Sequence, residues 1–110
     1  MPKKSIYEQE IEQANADLAQ VLDTEQGRRV LMRLINRASV MQPTYANGTH
    51  PSDFAFMEGR REMGLFIIGT ITEINTDIWL EMQKEDFNNI KLKNEQVKNE
   101  RAKQRTIDNE

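Results

Sequence analysis

Apolar residues in this chain recur at intervals of three and four, and no segment of useful length alternates with period two. That spacing argues for helices and against a sheet. The breakers concentrate in one window: residues 41–52 hold Pro43, the Asn47-Gly48 pair and Pro51. Prolines 43 and 51 push their preceding residues toward extended geometry, and Asn-Gly favours positive φ in a tight turn. The expected fold is therefore all-α. It is a small bundle of three to four helices, with a long loop between the second and third and a polar C-terminal helical tail.

In the first helix Ile11, Ala14, Leu18, Val21 and Leu22 share one face, and Glu8, Glu10, Glu12 and Asp17 lie mostly away from it. The Asp23-x-x-Gln26 pair is the expected start of the second helix, whose apolar stripe reads Val30, Leu31, Leu34, Ile35 and Ala38. Ser52 is the expected N-cap of the third, with Asp53 in its first turn. Asn75-Thr76-Asp77 carries a further capping signal, which kinks or restarts the chain before Ile78, Trp79 and Met82. The spacing predicts a core in which Leu31, Leu34, Ile35, Leu65, Ile68 and Ile71 bury one another. Two parts follow: a helical domain over 1–83 and a polar tail over 84–110, helical or partly disordered. In that tail Ile90 and Val97 lie one heptad apart, with nothing to sustain a coiled coil beyond them.

At 110 residues there is room for one domain, and a chain of this size buries about 65% of its unfolded surface, enough to fold alone with little margin. The absence of cysteine excludes disulfides, thiolate metal sites and cysteine nucleophiles, and fits a reducing cytoplasm. No apolar run approaches the length of a membrane span, and the basic start lacks the apolar core of a signal peptide. The chain reads as soluble and made inside the cell.

Catalytic chemistry finds no constellation to use. His50 is the only histidine, and its expected role is that of a loop side chain paired with backbone or water. Neither a phosphate-binding loop nor a dinucleotide fingerprint is present. Glu58 and Glu62 share a helical face but no Glu-x-x-His motif accompanies them. The chain is expected to be no enzyme, with no metal and no cofactor.

The informative residues are basic or small. Arg29, Arg33 and Arg37 repeat every four positions and form one ridge on the second helix, where like charges repel by a few tenths of a kcal/mol per pair. Something must offset that repulsion. Glu25, Glu58, Glu62 or Asp17 could do so within the chain, an acidic partner protein could do so from outside, and nucleic acid is the third alternative. The net charge of −3 and the glutamates that precede the ridge favour acidic protein over duplex DNA. Gly27-Arg28-Arg29 recurs as Gly59-Arg60-Arg61, each near a helix start, which adds Arg60 and Arg61 to the candidate partner-binding set. Gly27, Gly59, Gly64 and Gly69 are the expected points of close helix approach, since glycine inside a helix is otherwise unfavourable.

The run Thr24-Glu25-Gln26-Gly27-Arg28-Arg29-Val30-Leu31, followed after a Pro/Tyr/Asn/Gly loop by Glu58-Gly59-Arg60-Arg61-Glu62-Met63-Gly64-Leu65-Phe66-Ile67, resembles a family of small tailed-bacteriophage proteins. They belong to the virion morphogenesis region of short-tailed phages. The resemblance covers about residues 15 to 75. It implies an all-helical, non-enzymatic virion component, made in the host cytoplasm, that binds other virion proteins in several copies: portal, tail or capsid components. An internal protein delivered with the genome, or a scaffold-like factor, is the alternative in the same setting. A helical DNA-binding regulator is the alternative outside it, weakened by the lack of helix-turn-helix spacing.

Overall fold

Ser5 starts the first helix: its backbone is extended and its hydroxyl oxygen accepts the Glu8 N–H at 3.1 Å, after which α1 runs Ile6–Leu22. The computed structural model describes residues 3–42 and 50–109. Three further helices follow, α2 over Glu25–Arg37, α3 over Pro51–Ile74 and α4 over Thr76–Asp108. Of the described residues 87% are helical and none is in a strand, so the all-α expectation holds. The turn expected at Asn47-Gly48, and Pro43 with it, lie outside the described residues. No described helix is long and apolar enough to cross a membrane.

Two caps fall one or two residues from their expected places. Asp23 stays in helical geometry and closes α1, and Thr24 takes the extended geometry of an N-cap, its hydroxyl accepting the Gly27 N–H at 2.9 Å. At the third helix the cap is His50 and not Ser52. Proline already has the φ of a first helical residue and lacks the N–H that would go unsatisfied there, so α3 begins at Pro51 and the cap moves back to His50. The His50 Nδ1 accepts the Ser52 N–H at 3.2 Å, the backbone pairing expected of a loop histidine. Asn75 is the third junction, as its capping signal implied: it ends α3, and its side chain accepts the Asp77 N–H at 2.9 Å to begin α4.

Leu22, Met32, Ile35, Ile71 and Met82 form the buried core, flanked by Leu18, Leu31, Val40, Ile67, Ile68, Ile74, Ile78 and Trp79. Leu34 and Leu65 do not belong to it; they are 51% and 42% exposed. The wide stripe read on α2 covered two faces. The inward one carries Met32, Ile35 and Ala38, leaving Val30 and Leu34 outside. On α3 the inward line is Gly64 and Ile71, seven residues apart, which turns Leu65 away.

The four glycines part in the same way. A β-carbon at Gly27 would lie 1.9 Å from the Val21 carbonyl oxygen, because the Asp23-Thr24 corner folds α2 back onto the end of α1. At Gly64 it would meet Val40 at 2.5 Å and Ala38 at 2.6 Å. Ser39, in the left-handed region at φ 55°, ends α2 and turns Val40 onto that spot. Among the described residues nothing lies within 4 Å of such an atom at Gly59 or Gly69, so no described segment makes a close approach at those two.

The molecule extends 79 × 40 × 17 Å. Helices pack with axes about 8–10 Å apart, so a body this thin is at most two helices deep and leaves an outer face on each helix uncovered. Residues 3–17 are exposed throughout, and in residues 91–109 only Val97 is partly shielded. The backbone does not break at Lys84: α4 continues as one helix from the core into the tail.

Candidate partner-binding site

Arg28, the middle residue of the first Gly-Arg-Arg, fixes α2 against α4. Its Nε donates to both Glu85 carboxylate oxygens, at 3.1 and 3.2 Å, and its Nη1 donates to the Leu22 carbonyl at 2.9 Å. One guanidinium thus binds the open end of α1 and the side of α4. The pair is largely shielded, with side chains 22% and 33% exposed. Removing Arg28 by Arg28→Ala should lower stability by about 2 kcal/mol in a denaturant titration, whereas Arg29→Ala should change it by under about 0.5 kcal/mol.

The second Gly-Arg-Arg is also used within the chain. Arg60 Nη2 donates to the Arg37 carbonyl, one of the orphan acceptors at the end of α2, and Arg61 Nε donates to the Val40 carbonyl at 3.2 Å. Arg60 also lies over the Phe56 ring, 5.7 Å from its centroid, and Arg61 is 3.9 Å from Glu58. Arg60 and Arg61 therefore hold the segment after α2 against α3.

The ridge remains on the surface. No ion pair of Arg29, Arg33 or Arg37 forms among the described residues. Two acids of α4 approach α2: Glu85 binds Arg28, and Asp86 accepts from Asn36 Nδ2 at 3.3 Å. Between the two helices runs an open groove of about 290 Å³, with Arg29 and Arg33 on one wall and Glu85, Asp86 and Asn89 on the other. Met32 and Met82 form part of its lining. Beside it, sharing Met32, Asn36 and Asp86, lies a larger apolar groove of about 420 Å³. Ile68 and Trp79 contribute to its lining, together with Val40, Met41, Phe87 and Ile90. Phe87 and Met41 are strongly exposed.

Such a surface suits an amphipathic segment whose apolar residues enter the larger groove while its acids meet the ridge. Glu85, Asp86 and the apolar groove escaped the reading of the sequence. Phe87 and Ile90 were visible there only as sparse anchors of a polar tail.

A family model described as Bbp19-like phage protein matches residues 18–84. The chain belongs to that family. No curated protein and no solved structure matches it. The matched span of this Bbp19-like protein begins at Leu18, where α1 first packs against the core, and ends just beyond Met82, its last buried residue. It includes Arg28, the ridge and both Gly-Arg-Arg sequences, and it stops just short of Glu85. The exposed start of α1 and the tail of α4 lie outside it.

Proposed function

We propose that this Bbp19-like protein is a non-enzymatic structural or assembly component of the virion, present in several copies and acting through contacts with other virion proteins in the capsid or near the portal or tail. One observation carries the reading: a small body leaves Val30, Leu34, Met63, Leu65 and Phe66 more than 40% exposed, together with an arginine ridge that forms no ion pair among the described residues. Apolar residues in such number on a thin body favour a partner that covers them. Membership of a phage protein family supports the setting.

The partner surface expected at the ridge is acidic protein, which each guanidinium can grip with two parallel hydrogen bonds. Arg33→Glu should reduce incorporation into particles severalfold while leaving the helicity of the isolated protein unchanged. Quantitative mass spectrometry of purified particles tests the whole proposal. A copy number near that of a symmetric ring supports a connector role, and a large or irregular number supports an internal protein. Absence from particles would overturn the virion reading in favour of a scaffold-like factor or a regulator. Tight duplex binding by the isolated protein, with a log–log salt slope that falls by about one on removal of Arg33, would favour the regulator.

A further inference from the structure

The start of α1 and the tail of α4 carry matching surfaces that the described residues leave largely uncovered. In its last turns α1 sends Leu18 and Leu22 into the core, and the same stripe continues outward through Ala14, Ile11 and Tyr7, the last two 44% and 71% exposed. Likewise α4 sends Ile78 and Met82 inward, and beyond them Phe87, Ile90 and Val97 line up along the projecting tail.

The charges beside these stripes are opposite. Helix α1 holds four acidic side chains and no basic one, and Glu10 and Asp17, seven residues apart, follow one edge of its stripe. Lys4 pairs with Glu12, and Gln13 donates to Asp17 at 2.8 Å; neither draws the arm toward the tail. Residues 91–109 hold six basic and three acidic side chains, and Lys91, Lys98 and Arg105, again seven apart, follow one edge of the tail's stripe. Charges at seven-residue intervals beside an apolar seam are the arrangement by which paired helices select partners. A second tail would bring basic rows together; an acidic arm would neutralise them. The lengths also suit: the exposed arm, residues 6–17, spans about 18 Å and the tail beyond Ile90 about 27 Å.

We infer that the tail of α4 binds the exposed arm of α1 from a second copy of this chain. The tail seam continues the apolar groove at Phe87 and Ile90, so the arm of the neighbouring copy extends from the tail toward Trp79 and the arginine ridge. A head-to-tail contact of this kind generates a ring when the rotation between copies closes, and an open chain when it does not. The inference rests on the reading that the protein is present in several copies, and it is independent of where in the virion those copies sit.

The test uses the full-length chain in solution. Sedimentation at low salt should show self-association that weakens as salt rises. Glu10→Lys with Asp17→Lys, or Lys91→Glu with Lys98→Glu, should each weaken it by about tenfold, and all four changes in one chain should restore it. Circular dichroism checks that each variant keeps its helicity. Because the chain has no cysteine, a copy carrying Ile11→Cys mixed with one carrying Val97→Cys should form a mixed species with a bismaleimide linker, in excess of either alone. A monomer at every concentration would overturn the inference, as would failure of the four-residue variant to recover. Equal linking by Val97→Cys alone would replace it with tail-to-tail pairing. Duplex DNA binding lost in the tail variant, with association unchanged, would replace it with a nucleic-acid role for the tail. None of these outcomes alters the copy-number test, so the two readings fail separately.

Discussion

Ile71→Ala should lower the free energy of unfolding by about 4 kcal/mol, read from the shift of a urea or guanidinium midpoint at constant slope. Ile71 is completely buried, in the cluster formed by Leu22, Met32, Ile35 and Met82, so truncation removes both its transfer free energy and the contacts that line the resulting cavity. Leu65→Ala, on the same helix, should cost less than about 1 kcal/mol, because Leu65 is 42% exposed and its removal opens no enclosed space. The comparison matters more than either value. Both residues lie within two turns of α3 and have similar bulk, so equal losses would show that α3 presents a different face to the core.

Gly27→Ala should destabilise by about 3 kcal/mol, the opposite of what helix propensity predicts for an exposed glycine. The added carbon would lie 1.9 Å from the Val21 carbonyl oxygen, a backbone atom that cannot turn aside as a flexible side chain would. Relief requires opening the corner between α1 and α2, which also pulls Arg28 from the Leu22 carbonyl. Gly59→Ala and Gly69→Ala should each stabilise by about 0.5–1 kcal/mol, since no described residue lies within 4 Å of the added carbon at either position and alanine loses less backbone freedom on folding. Thermal or denaturant unfolding of the three single variants would therefore give one loss and two gains. A loss at Gly59 or Gly69 in dilute monomer would show that a neighbouring helix does approach there.

The candidate site was legible by residue type and not by partner. The ridge of Arg29, Arg33 and Arg37 follows from four-residue spacing, and its place on the outside of α2 is what that spacing implies. Arg28 and Arg29 are adjacent and chemically identical, yet one is clamped by Glu85 and the other faces a groove. The choice depends on an acid 57 positions away, delivered by a helix whose direction is set at Asn75. Arg60 and Arg61 carried the same signal as the first pair, and their guanidinium groups instead satisfy carbonyls at the end of α2 and beyond it.

What the amino-acid sequence determined by itself is everything that depends on neighbours within a few positions. Apolar spacing specifies the helices, Asn75 specifies the break between α3 and α4, and Pro51 specifies where α3 begins, because hydrogen bonding and dihedral limits act over one or two turns. Even the caps at Thr24 and His50 are local, each missed only because several adjacent polar residues could have taken the extended position. The tertiary structure alone decided which face of each helix turned inward. Val30, Leu34 and Leu65 are as hydrophobic as the residues that were buried, and only the meeting of α2, α3 and α4 around Met32, Ile71 and Met82 separates them. Burial is a property of pairs of helices that are distant in sequence. The apolar groove exists for the same reason: Val40, Trp79 and Ile90 become neighbours only after the chain has turned at Ser39 and again at Asn75.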